Sequence, residues 1–346
     1  MKIDVLTRKF RIVNMCVIGV VMLLVTSPSI SQKTSAFSLF ESDSIINIRL
    51  ITDMKLFVKN KFKEEYQPAV IQIIQQEGDT VSYTVKIRSR GNIRKEQCRY
   101  PPIKVKFSKK DFEYNKLKWV NTCFATDKGD QLLLKEYLAY KLYGIFSDRG
   151  FRTKLLRVEY VNTGKDDKTD TRYAFFIEND EALASRLGGR LYSPKALKQK
   201  LIDPDQLALF TMFNYMIANT DWSIENRHNL EAMTDSLVKA VVAIPYDFDY
   251  AGFVGTSYAA VHESLPNKSV KERYNSGYCI DDEICEKYRQ IFISKRDEVL
   301  RTCREFEYFD DRSKKETEFF LKSFFDLMEN EKNVKEIFTK KCKPAN

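Results

Sequence analysis

Histidine is scarce, at two residues in 346. That excludes a histidine-rich metal centre. Glycine, at 12, is too sparse for a collagen-like chain, and no internal repeat is found. No two cysteines stand in a C-x-x-C pair, which argues against zinc-ribbon and thioredoxin-type readings. No apolar run reaches the roughly 20 residues that a membrane-spanning helix needs. What is present is a sizeable core: hydrophobic residues make up 43% and aromatics 13%, which excludes disorder and a simple coiled coil. The 57 Lys+Arg against 48 Asp+Glu give a net charge of +9. That excess permits an anionic partner without demanding one.

The first 31 residues read as a signal peptide. Lys2, Arg8, Lys9 and Arg11 form a basic start, and Val13 to Val25 is mostly apolar. Thr26 to Ser31 then breaks the helix, with Ser29 and Ser31 small enough for cleavage before Gln32. An uncleaved anchor is the alternative, and membrane contact is expected only through this segment. Its removal takes away four positive charges and one negative, lowering the net from +9 to +6. The expected location is therefore extracytoplasmic: periplasm, envelope or secreted. Six cysteines remain after cleavage, and an oxidising compartment favours pairing among them. Cys98 and Cys123 flank one strand-rich segment and are the best single pair.

Residues 32–181 read as sheet-rich. Strands are expected at Ile46–Thr52, Ala69–Gln75, Thr80–Arg88, Ile103–Phe107, Thr153–Val161 and Arg172–Ile177. Gln76 to Asp79 reads as a turn, and Leu132 to Phe146 as one crossing helix with Leu134, Leu138, Leu142 and Ile145 on a face. Residues 182–346 read as mainly helical. Asp203-Pro204 opens a helix, and short strands follow near Leu230–Met233 and Val238–Ile244. Asp281–Phe306 and Arg312–Met328 read as long amphipathic helices, with Phe319, Phe320, Phe324, Phe325 and Leu327 as core.

Two polar clusters follow apolar elements. One runs from Asn219 to Asn229, the other is Pro245-Tyr246-Asp247-Phe248-Asp249. An Asp, an Asn a few residues on and a strand-ending Asp are what Mg²⁺-assisted phosphoryl transfer needs: one group to orient a hydroxyl, the others to hold metal on phosphates. Hard oxygen ligands suit Mg²⁺ or Mn²⁺. Asp221 and Asn226 have the D-x-x-x-x-N spacing of a kinase catalytic loop. Asn229, directly before the Leu230 strand, is preferred on context, and Asn226 stays open. His228 reads as a structural residue.

The order of these pieces resembles the CotH-type (spore-coat protein H) family of secreted atypical kinases, and more distantly HipA, over about residues 82–255. The resemblance rests on Arg88-Ser89-Arg90-Gly91-Asn92, Pro101 to Phe107, Leu133 to Tyr140, Phe175 to Glu178, Asn219-Thr220-Asp221 and Tyr246 to Asp249. It implies an α+β, two-lobed protein-kinase-like fold with a sheet-rich N-terminal lobe and a mainly helical C-terminal lobe. It implies Asp221 as catalytic base, Asp247 as chief metal ligand with Asn229 and Asp249 in support, and Lys104 on the nucleotide phosphates held by Glu136. Lys106 shares the face of Lys104. Arg90 and Asn92 would lie over the phosphates, and Glu178 at the nucleotide hinge. ATP or another nucleotide and Mg²⁺ or Mn²⁺ are the implied cofactors. The chain departs from kinase patterns in having no G-x-G-x-x-G, no H-R-D, and Tyr246 where the spore-coat proteins tend to carry Trp.

The leading expectation is an exported atypical kinase that phosphorylates a protein hydroxyl or a small envelope molecule. The alternative is a catalytically inactive kinase-like binding or assembly module of the envelope. A metal-dependent hydrolase using Asp221, Asp247 and Asp249 is third. Nucleic acid is not expected as a partner; the basic residues of 88–110 suit a phosphate-facing surface better.

Overall fold

In the computed structural model of this chain, residues 39–75, 79–164, 169–234 and 240–344 are described. The expected signal segment, residues 1–31, and residues 76–78 of the expected turn lie outside them.

Period-two alternation carries the N-terminal half. The strands are β1 (Ile46–Thr52), β2 (Gln67–Ile74), β3 (Thr80–Ser89), β4 (Ile103–Lys106), β5 (Lys116–Asn121), β6 (Thr153–Asn162) and β7 (Thr169–Ile177). Short helices α1 (Met54–Lys59) and α2 (Ile93–Gln97) sit in the connections. Neighbours pair antiparallel, except that β1 pairs parallel with β6 from Ile46 opposite Leu156 to Thr52 opposite Asn162. This one parallel ladder joins what would otherwise be two free edges, so the sheet closes into a barrel in the order β1-β2-β3-β4-β5-β7-β6. The expected two-lobed kinase-like fold is therefore wrong. An N-terminal lobe of that kind needs an open sheet, whereas here a closed seven-stranded mixed barrel precedes the helices. The sequence showed the strands but not the edge-to-edge pairing of the first with the sixth.

Ile48, Leu50, Ile71, Val85, Ile87, Ile103, Val105, Trp119, Val158 and Phe176 fill the barrel. In β4, Ile103 and Val105 point inward while Lys104 and Lys106 point out, as the alternation predicts.

Helix α3 (Asp127–Phe146) lies between the barrel and the rest of the chain. Thr126 caps it by accepting from Gly129 N–H at 3.1 Å, so it starts five residues before the apolar stripe does. It is buried on nearly every side, and its Leu134, Leu138 and Leu142 join a second core with Phe213, Phe248, Phe292 and Phe324. The remaining elements are α4 (Asp180–Arg186), β8 (Arg190–Leu191), α5 (Pro204–Met216), β9 (Leu230–Thr234), β10 (Val241–Pro245), α6 (Asp282–Ser294), α7 (Arg296–Glu305), α8 (Asp311–Met328) and α9 (Glu331–Lys335). Strands β10, β9 and β8 form a separate three-stranded antiparallel sheet. Asp203 caps α5 as expected. The expected 281–306 helix is two helices, broken at Lys295, and Phe319 is 76% exposed rather than core because α8 turns it away from Phe324 and Phe325.

Disulfides join Cys98 to Cys123, as expected, and Cys279 to Cys342; Cys285 and Cys303 are buried free thiols. Among the described residues, no helix is long and apolar enough to cross a membrane.

Candidate functional site

Helix α5 ends in buried, apolar surroundings, and the chain then turns sharply. Ala218 takes φ +51° just past the helix. Asn219, also buried, folds its side chain back: its Nδ2 donates to Asn214 Oδ1 at 2.8 Å, and its Oδ1 accepts from Asp221 N–H at 3.1 Å. Asp221 is thus fixed through its backbone. Its carboxylate is fixed too. Oδ2 accepts from Asn229 Nδ2 at 2.9 Å, Oδ1 lies 3.1 Å from His228 Nε2, and Asn229 Nδ2 also donates to the Asp221 carbonyl at 2.8 Å. Arg227 and Asn229 adopt φ +51° and +52°, which turns the loop back into β9.

The β9–β10 ladder brings the second cluster alongside. Tyr246 N–H donates to the Asn229 carbonyl at 3.1 Å, directly after Pro245 pairs with Leu230. Asp247 follows at φ +63°, its N–H donating to Tyr140 Oη of α3 at 2.9 Å. Phe248 is the anchor: fully buried, with its ring 4.7 Å from Tyr140 and 5.8 Å from Phe213. The aspartates on either side of it are therefore held by a core residue. Asp249 is 5% exposed; its Oδ2 accepts from Tyr258 Oη at 2.9 Å and lies 3.8 Å from Arg94 Nη1.

The charge balance here is uneven. Arg94, from α2, is buried against Glu136 of α3 at 3.0 Å and donates through Nη2 to the Asn121 carbonyl at 3.0 Å. It faces Glu136 and Asp249 together, with Asp247 also within electrostatic reach. Burial, reinforced by Asp249 and Asp247, holds the Glu136 carboxyl above its ordinary range against the pull of Arg94. Burial and Asp247 do the same to Asp249. Burial, Asp247 and Glu136 raise the Tyr140 hydroxyl. Hydrogen bonding to Asp221 raises His228.

The structure brings Asp221, Asn229, Asp247, Asp249 and Glu136 together. Glu136 meets Arg94, not Lys104: the implied Lys104–Glu136 pair is absent because Lys104 lies on the outer barrel face between Arg88 and Lys118. Arg90 is half-buried and close enough to lower Tyr140 and Tyr246 electrostatically. Asn92 is exposed ahead of α2 and caps nothing. Glu178 is buried in a pair with Arg186 at 2.9 Å and accepts from Arg152 N–H at 3.1 Å. Asn226 is exposed on the loop tip, and Asn229 is the asparagine that touches Asp221. Lys106 points outward from the barrel, beside Tyr66.

Sequence reasoning missed Arg94, Tyr140, Tyr258 and Lys118. Lys118 lies 2.5 Å from Asp180 and over the Tyr246 ring at 4.5 Å. The Cys98–Cys123 bridge was the one usable signal for Arg94, since it draws α2 toward the start of α3. A cleft of about 1310 Å³ opens on the outer side of Asp221, lined also by His228, Tyr250, His262, Lys341 and Lys343.

Among the described residues, no group of three or more His, Cys, Asp or Glu side chains is placed to hold a metal ion. The oxygen donors do fit a cation shared with a substrate. Asn229 spends its Nδ2 on Asp221, which leaves its Oδ1 as the lone-pair atom to offer a cation. Mg²⁺ is commonly bound by one or two carboxylates plus phosphates and water rather than by a complete protein cage.

No family model matches the chain. A stretch of 76 residues, 22% of the chain, is 33% identical to a tRNA-2-methylthio-N(6)-dimethylallyladenosine synthase of Corynebacterium efficiens. The match covers 14% of that protein's length and assigns no family.

Proposed function

We propose that this chain is an exported, Mg²⁺- or Mn²⁺-dependent phosphotransferase acting from a nucleotide on a hydroxyl acceptor, a protein or a small envelope molecule. The reading rests on the site and not on the fold, since a closed barrel beside helices is not a kinase architecture. The observation that carries it is the meeting of Asp221, Asn229 and Asp247 at the paired ends of β9 and β10, with Asn229 and Asp247 both in left-handed backbone. Such strain persists where surrounding structure enforces it, and it clusters at functional sites.

Asp221 is the group to orient the acceptor hydroxyl and take its proton, because it borders the large cleft and is fixed by two side chains. Asp247, Asn229 Oδ1 and Asp249 would hold the divalent cation, which supplies charge neutralisation on the phosphates. Arg94 lowers the repulsion among the buried carboxylates but does not cancel it, and an added cation relieves the remainder. Arg90, Lys104 and Lys118 are the cations on the barrel side available to phosphate oxygens. The two disulfides support the extracytoplasmic setting.

One observation favours a second reading, a nucleotide-binding module without turnover: both carboxylate oxygens of Asp221 are already engaged. One set of measurements separates the two. Thermal shift with ATP and Mn²⁺ is expected to stabilise the wild type and not Asp247→Ala. Phosphate transfer is expected to fall about 10²- to 10⁴-fold in Asp221→Asn, the usual span for loss of a general base. A cation-dependent nucleotide shift without any transfer would select the module. No such shift in the wild type would remove both.

A further inference from the structure

Strands β3, β4 and β5 place six cations in a grid on the outer face of the barrel. The ladder registers set Lys86 opposite Lys106 and Lys106 opposite Lys116; two residues along, Arg88 faces Lys104 and Lys104 faces Lys118. Neighbouring strands lie about 4.8 Å apart and alternate residues about 6.7 Å apart, so these are close like-charge neighbours. Like charges directly opposite one another on a sheet destabilise it. Acids relieve one row: Glu64 pairs with Arg88 at 3.0 Å, and Asp180 pairs with Lys118 at 2.5 Å and also reaches Lys104 electrostatically. Lys86, Lys106 and Lys116 have no ion-pair partner among the described residues.

An aromatic rim adjoins this grid. Tyr66 lies under Arg88 and beside Lys106, at 5.6 and 6.0 Å from its ring centre. The turn before it is tied to the end of β3 by the Ser89 hydroxyl donating to the Lys61 carbonyl and by Glu64. That turn presents Phe62, 61% exposed, between Lys61 and Lys63. A large apolar ring on an exposed turn, flanked by lysines and next to a field of unneutralised cations, combines two attractions that act together at one kind of surface. Phe and Tyr enter the interfacial zone of a bilayer, and the lysines are drawn to anionic headgroups.

We propose that the exposed part of this face, Lys86, Lys106 and Lys116 with Phe62 and Tyr66, docks on an anionic lipid surface. The partner is a membrane carrying phosphatidylglycerol-like headgroups. The expected export of the chain across a membrane puts such a surface within reach. The inference does not depend on the phosphotransferase reading, because none of Lys86, Lys106, Lys116 and Phe62 belongs to the Asp221–Asp247 site.

The test is co-sedimentation of the full chain with vesicles of phosphatidylcholine alone or mixed with phosphatidylglycerol. The variants are Lys86→Ala/Lys106→Ala/Lys116→Ala and Phe62→Ser. The apolar N-terminal segment is common to all of them, so differences between variants read this face. All four side chains are exposed, and removing like-charge neighbours leaves the fold intact. Wild-type binding is expected on the anionic vesicles and to weaken with salt. With each lysine contributing about fivefold, the triple variant should bind roughly a hundredfold more weakly. Phe62→Ser should weaken binding without changing its salt dependence. Equal binding of wild type and triple variant to anionic vesicles would overturn the proposal. So would equal binding of neutral and anionic vesicles, or tight binding of the grid to duplex DNA with none to vesicles.

Discussion

Within the barrel, the inward positions are mostly apolar, each strand is paired on both sides, and no strand residue takes a positive φ. The segments around Asp221 and Asp247 depart from this pattern, most plainly in their backbone. Four of the five described non-glycine residues at positive φ lie there or at their entry: Ala218, Arg227, Asn229 and Asp247. Each such residue costs on the order of 1–3 kcal/mol when its surroundings enforce it. The same region buries Glu136 and Asp249 around a single arginine. One region follows the local rules of folding, and the other breaks them in a small volume. Breaks of that kind mark the place where a sequence serves something besides stability.

The contrast makes opposite predictions for the two regions, and the barrel's is the larger. Phe176 is 1% exposed inside the barrel, its ring 5.1 Å from Trp119. Phe176→Ala should cost about 3–5 kcal/mol in denaturant unfolding, the usual penalty for a cavity of that size. A loss under about 1 kcal/mol would mean that the barrel is not a packed core. Asp249→Asn should act in the other direction. Burial and Asp247 raise the Asp249 carboxyl to about 7 in the folded chain, against about 3.9 when unfolded. Between these values the native state keeps a proton that the unfolded state has lost. Stability therefore falls as pH climbs from about 4 to about 7, and the penalty stands in full above that. The variant removes it, so at pH 8 its Tm should exceed the wild type's by about 2 °C or more, with the gap closing near pH 4. Mn²⁺ should raise the wild type's Tm at pH 8 more than the variant's. A variant that is less stable at pH 8 would show that Asp249 is held for the fold.

These two regions were also unequally legible. Alternation located most of the barrel strands, with β1 right at both ends, because period-two burial is a local property. It missed β5, where Lys116-Leu117-Lys118 leads into the continuous apolar run Trp119-Val120. Closure was invisible, since the parallel pairing of β1 with β6 joins residues more than a hundred positions apart. At the site, Asp221, Asn229 and Asp247 were readable because polar residues directly follow apolar elements. Arg94 was not, because nothing in Asn92 to Gln97 signals a buried guanidinium. The Lys104–Glu136 pairing failed for the same reason: it was carried over from a resemblance, and the partner of Glu136 came from a helix of only five residues.

The smallest effect tests how far the site's departure from local rules extends. His228 is 55% exposed, and its Nε2 lies 3.1 Å from Asp221 Oδ1, a contact that raises its titration above the ordinary value. A raised histidine contributes stability that is fully present below its unfolded pKa of about 6.5 and is lost as pH rises through the higher folded value. An exposed pair of this kind contributes little, at most about 1 kcal/mol. His228→Gln should therefore lower Tm slightly at pH 6 and not at all at pH 9. Its Asp221 keeps the Asn229 hydrogen bond, so any phosphate transfer should remain within about tenfold of the wild type. Its low-pH limb should move, because a charged imidazole competes with the acceptor hydroxyl for Oδ1 and glutamine does so without titrating. A loss as large as that of Asp221→Asn would make His228 part of the chemistry. Unchanged pH dependence would place it with the barrel residues, as a group that shapes the chain and nothing more.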